Sequence, residues 1–114
     1  MNVLFFDGDK DRQQAIKKKI PGCKIASTYH QCVETIQKEE VWNILFLGYD
    51  YVSFNGATLL DWLRENEPQI RNVVVHHHDG VLGTQTCKEL TKLQYTATYL
   101  PYKIMIENME KING

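Results

Sequence analysis

Three short segments hold the residues able to do chemistry. VLFFDGDKDR carries Asp7, Asp9 and Arg12; LGYDY carries Asp50 between Tyr49 and Tyr51; VVVHHHDG carries His76, His77, His78 and Asp79. Carboxylates crowded together repel one another and invite a cation. Oxygen ligands alone favour Mg²⁺ or Mn²⁺, which are expected here ahead of Zn²⁺, although imidazoles widen the choice to Zn²⁺ or Fe²⁺. Such an ion polarises a phosphoryl oxygen or acidifies a bound water. A neutral histidine serves as a general base, and a protonated one as a general acid. A guanidinium such as Arg12 pairs with phosphate oxygens. These residue types also have plainer uses, because acidic residues after strands cap helices and form turns. In strand geometry His76 and His78 point to one face and His77 to the other, so all three share a ligand only if the chain bends.

These segments meet only if the fold brings them together, and the apolar pattern predicts that it does. Asn2–Phe6, Cys23–Ala26, Asn43–Leu47, Val73–Val75 and Tyr95–Leu100 read as strands. Helices are expected from Asp9 or Asp11 to Lys19, Tyr29 to Glu40, Ala57 to Glu65, Thr84 to Leu93 and Tyr102 to Ile112, with loops over Gly48–Gly56 and Asp79–Gly83. Strands apolar on both faces belong to a parallel sheet covered by helices. Right-handed crossovers then give a doubly wound α/β domain, three-layered and flavodoxin-like, with five parallel strands in the order 2-1-3-4-5. Its switch point lies between strands 1 and 3, and ligands bind there at the carboxyl ends. Asp7, Asp50 and His76 are expected at that edge. Tyr49, Tyr51 and Phe54 form an aromatic loop beside it, able to stack a nucleobase or to cover the sheet. His30 is a further candidate for the edge.

At 114 residues the chain has the size of one domain, spanning 1–114. A net charge of −1 supplies no basic field for duplex nucleic acid, and the run Lys17–Lys19 suits the end of a helix. No apolar run approaches the ~20 residues that span a bilayer, and Asp7 and Asp9 interrupt the apolar start, against a secretory signal. Cys23, Cys32 and Cys87 show no paired spacing and read as reduced thiols of a cytoplasmic protein. None lies in the edge segments, so a cysteine nucleophile is not expected.

The layout resembles the receiver domain of bacterial response regulators: VLFFDGD at 3–9, ILFL at 44–47, NGATLLDWLRE at 55–65 and YLPYK at 99–103 fall in order. Gly48 stands at the phosphoacceptor position, so phosphotransfer is not implied unless Asp50 has taken that role. The chain is more similar to the cyclic-phosphate-processing receiver-like domains of bacteria and phages. Their strand-1 acid with a following Arg corresponds to Asp7 and Arg12. Their L-D-H-D-L and H-S-x-N motifs correspond to Leu47-Gly48-Tyr49-Asp50-Tyr51 and His76-His77-His78-Asp79. That resemblance implies a metal-assisted phosphodiesterase acting on a nucleotide or other cyclic phosphate, such as a nucleotide immune signal. Asp7, Asp50 and Asp79 would hold the ion. His76 and His78, with Asp50, would do the catalysis. Arg12, Tyr49, Tyr51 and His77 would bind the ligand. Gly48 for Asp and Tyr49 for His remove two reactive groups, which leaves a sequestering protein as the alternative. A pseudo-receiver that binds a protein partner is a third reading, and a homodimer is compatible with all of them.

Overall fold

The computed structural model describes residues 1–48 and 58–109. Among them strands and helices alternate: β1 Val3–Phe6, α1 Lys10–Lys19, β2 Lys24–Ala26, α2 Tyr29–Ile36, β3 Val41–Leu47, α3 Leu59–Asn66, β4 Gln69–Val75, α4 Gly80–Lys92, β5 Ala97–Tyr99 and α5 Tyr102–Glu107. The strands form one parallel sheet in the order β2-β1-β3-β4-β5, the flavodoxin-like order expected from the apolar runs.

Alternation along each strand divides the core in two. Leu4, Phe6, Leu45, Leu47, Val73 and Val75 pack with Cys32, Ile36, Leu59, Leu63 and Leu90 of α2, α3 and α4. Val3, Phe5, Ile44, Phe46 and Val74 pack on the other face with Ile16 of α1 and Met105 of α5. Both faces are therefore dry over β1 and the carboxyl halves of β3 and β4, which is why those stretches carry no polar alternation. None of the helices among the described residues is long and apolar enough to cross a membrane.

Several boundaries differ from the sequence reading. The segment Asp79–Gly83, expected as a loop, opens α4 instead. Asp79 is its N-cap and accepts from the Val81 and Leu82 amides, and its side chain outweighs the weak helix propensity of Gly80 and Gly83. Helix α2 ends at Ile36, short of Glu40, and β4 starts four residues earlier than Val73, at Gln69. The polar residues of that early half, Gln69, Arg71 and Asn72, are exposed and pair with the start of β3. The loop expected over Gly48–Gly56 lies, after Gly48, outside the described residues, as does Ala57. Helix α5 ends at Glu107, short of the expected Ile112, which is itself outside the described residues.

Candidate functional site

The register of the ladder builds the site. Phe6 is level with Leu47, and Leu47 with Val75. The pairing continues one step past the strands: the Gly48 amide donates to the Phe6 carbonyl and the His76 amide to the Leu47 carbonyl. Asp7, Gly48 and His76 therefore form one row across β1, β3 and β4. They lie two residues beyond Phe5, Phe46 and Val74, so they share the face covered by α1 and α5.

Asp7 and His76 are separated by two strand spacings, roughly 10 Å of backbone. They touch because the position between them is a glycine. His76 Nε2 lies 3.0 Å from Asp7 Oδ2 across the gap that a Gly48 side chain would fill. A β-carbon there would sit 2.9 Å from Asp7 Oδ2 and 3.0 Å from His76 Nε2. Neither Asp7 nor His76 has exposed surface.

Helix α1 completes the cluster. Asp9 caps it by accepting from the Arg12 amide, which sets Arg12 and Gln13 in the first turn above Asp7. Arg12 Nη1 donates to Asp7 Oδ2 at 3.1 Å, and the Asp9 amide donates to Asp7 Oδ1 at 2.9 Å. Gln13 Nε2 donates to the Asp7 carbonyl at 2.6 Å and to Ser27 Oγ at 2.8 Å, joining the ends of β1 and β2. Burial pushes the Asp7 carboxyl up, but the hydrogen bonds from His76, the Asp9 amide and Arg12 outweigh it. The net shift is below the ordinary carboxylate value.

The His76 ring is fixed as well as bonded. It stacks on Phe5, with centroids 5.0 Å apart and planes 10° from parallel, and meets Tyr102 at 6.1 Å. Because Nε2 faces a carboxylate, Nε2 carries the hydrogen. In the neutral ring this leaves Nδ1 as the basic nitrogen. Nδ1 is buried and has no hydrogen-bond partner among the described residues. Such an orphan costs about 1–3 kcal/mol and calls for a functional explanation.

The remaining candidates fall elsewhere on the edge. His77 turns to the opposite face, as strand alternation requires. Its Nδ1 accepts from the Asp79 amide at 2.9 Å and its carbonyl accepts from the Tyr99 hydroxyl at 3.0 Å. Burial, with His78 adding repulsion, holds the His77 ring below the ordinary histidine value. His78 is exposed and stacks on His77 at 4.7 Å. Asp79 serves as the cap of α4. Asp50, Tyr49, Tyr51 and Phe54 lie outside the described residues. His30 is exposed in the first turn of α2. Burial raises all three thiols, Cys23 to about 12, so none is an activated nucleophile.

Asp7 does not fit the role of a metal ligand. Both of its oxygens already accept hydrogen bonds, and the one nearest His76 also pairs with a permanent cation, Arg12. Among the described residues no group of three or more His, Cys, Asp or Glu is gathered for a metal.

Two site residues escaped the sequence reading. Gln13 shares the inward stripe of α1 with Ile16, a buried polar residue among apolar ones. That spacing was a usable signal. Tyr102, directly after Pro101, offered none.

Compared with known proteins, the chain matches no family model and no curated protein.

Proposed function

We propose that the chain opens a cyclic phosphate, as a phosphodiesterase of the cyclic-phosphate-processing receiver-like kind, using its own side chains where a metal was expected. One observation carries this reading. A buried carboxylate holds the imidazole of His76 by one nitrogen and leaves the other unpartnered. That is the arrangement of an oriented general base. In the reaction, His76 Nδ1 takes a proton from water as its oxygen attacks phosphorus. One ester P–O bond breaks, and the leaving alkoxide receives the proton back. Asp7 fixes the tautomer and stabilises the imidazolium. Arg12, with its side chain 25% exposed, contacts the phosphoryl oxygens. Nδ1 has no surface of its own, so substrate reaches it only when the edge opens. Asp50, Tyr49 and Tyr51 belong to this proposal on sequence position alone, two of them flanking the acid just past Gly48. His77 and His78 would bind the ligand at the rim.

A second reading is a protein that sequesters the same ligand without cleaving it. The closure of Asp7 and His76 and the missing side chain at Gly48 favour it.

Incubation with 2′,3′-cyclic nucleotides, cyclic dinucleotides and cyclic ADP-ribose isomers, followed by heat denaturation and mass spectrometry, separates the two. Linear products that vanish in His76→Ala support hydrolysis. A ligand depleted from solution and released intact supports sequestration. No change with any of them overturns both.

A further inference from the structure

We infer that Gln13 is a positioning residue: its side-chain amide ties the main chain of Asp7 to the end of β2 and so holds the Asp7 carboxylate against His76 Nε2. The inference rests on the reading of Asp7 and His76 as one functional pair, but not on cleavage.

The end of the ladder creates the need. The Asp7 amide donates to the Ala26 carbonyl at 3.1 Å, so the Asp7 carbonyl turns toward the same neighbour, as the N–H and C=O of one strand residue do. In a parallel ladder the next donor to that carbonyl is the Thr28 amide. Thr28 makes no such bond, because β2 ends at Ala26 and Thr28 has turned away to cap α2. Gln13 fills the place. Its Nε2 lies 2.6 Å from the Asp7 carbonyl and 2.8 Å from Ser27 Oγ. A carbonyl only accepts, so the atom facing it is the amide nitrogen. Both hydrogens of that nitrogen are used, one on each strand end. Gln13 is itself buried, and its main-chain amide donates to the Asp9 carbonyl at 3.0 Å, in the turn that Asp9 caps.

The carboxyl group has no slack of its own. The Asp9 amide takes Oδ1, while Arg12 and His76 share Oδ2. Asp7 and His76 are both fully buried, and the His76 ring follows a displaced carboxylate only by leaving its stack on Phe5. A shift of the Asp7 main chain is therefore felt directly in the 3.0 Å contact between Oδ2 and Nε2. An apolar side chain of the same length would fill the same space beside Ile16 on α1 and leave the Asp7 carbonyl without its donor.

The test compares the wild type, Gln13→Met and Gln31→Met by proton NMR. Gln31 Oε1 accepts from the Ser27 amide at 2.8 Å, so it secures the same end of β2 without touching Asp7 and serves as the control. The His76 Nε2 hydrogen, buried against a carboxylate, gives a resonance far downfield of the main-chain amides. It is expected to move upfield or broaden away in Gln13→Met and to stay in place in Gln31→Met. Gln13→Asn, whose amide stops one carbon short of the carbonyl, is expected to show the same change and replaces Gln13→Met if that variant does not fold. An unmoved resonance in the Gln13 variants overturns the inference, whatever stability they lose. An equal movement in Gln31→Met overturns it too, as does a wild type without the resonance. Hydrolysis of 2′,3′-cyclic nucleotides is measured on the same samples. The expected result is a kcat about 10-fold lower in Gln13→Met with KM unchanged, as for a displacement well under the ~1 Å that costs about 100-fold. A resonance that depends on Gln13 in a protein that cleaves nothing leaves the positioning role standing and removes the catalytic reading. Cleavage with the same kcat and an unmoved resonance in the Gln13 variants does the reverse.

Discussion

His76 reaches Asp7 only across Gly48: the two side chains meet at 3.0 Å over a residue whose β-carbon would stand 2.9 Å from the carboxylate oxygen. Gly48→Ala therefore has to push apart a buried pair that cannot move into solvent. Overpacking of this kind costs about 1–3 kcal/mol. We expect a lower urea midpoint with an unchanged slope, together with loss of any activity that depends on His76. A variant as stable and active as the wild type would mean the pair does not need this gap.

Asp7 ties acid stability to the same pair. Its folded-state value lies below the ordinary 3.8, since the hydrogen bonds from His76, the Asp9 amide and Arg12 exceed the effect of burial. Its contribution is therefore complete above 3.8 and is lost as pH falls below it through the folded value. Asp7→Asn leaves Arg12 and His76 facing an amide, and about 3 kcal/mol should be lost at neutral pH. Urea unfolding at a series of pH values should show the gap between wild type and variant closing as the solution is acidified below that point. A gap that stays constant with pH would rule out a depressed Asp7.

Gly83 makes a second close approach. A β-carbon there would lie 2.4 Å from Tyr99 Cε1 and 3.3 Å from the His77 β-carbon. In an open helix, Ala instead of Gly gains about 1 kcal/mol. Against the Tyr99 ring that gain is outweighed, because the ring is tethered by its hydroxyl to the His77 carbonyl. We expect Gly83→Ala to destabilise by about 2 kcal/mol. Gly22→Ala, with nothing within 4 Å of the added carbon, should be neutral or slightly stabilising. Thermal unfolding of both variants checks the contrast.

The sheet was legible because β1 and the carboxyl halves of β3 and β4 are unbroken apolar runs, and the placing of Asp7 and His76 followed from the strand order. Their direct contact was not legible. It depends on what Gly48 lacks, and an absent side chain looks in sequence like a lost function rather than a passage. Arg12 was read as a ligand for phosphate, and its bond to Asp7 needs the first turn of α1, whose orientation Asp9 sets by capping. The opening of α4 was hidden because Gly80 and Gly83 signal a loop, while the tight packing of Tyr99 that selects Gly83 comes from β5, distant in the chain.

Divalent ions test the least expected feature of the site. Asp7 Oδ2 has Arg12 at 3.1 Å and His76 at 3.0 Å, so an ion would have to displace a guanidinium that cannot shed its charge. Millimolar Mg²⁺ or Mn²⁺ should leave the melting temperature where a chelator leaves it, because a ligand stabilises only by binding the folded state. Removing the competing cation should change this: Arg12→Ala frees one approach to Oδ2 and is expected to gain a rise in melting temperature with Mn²⁺. A metal-dependent rise in the wild type that disappears in Asp7→Asn would show instead that the ion, not the guanidinium, is the resident cation of this carboxylate.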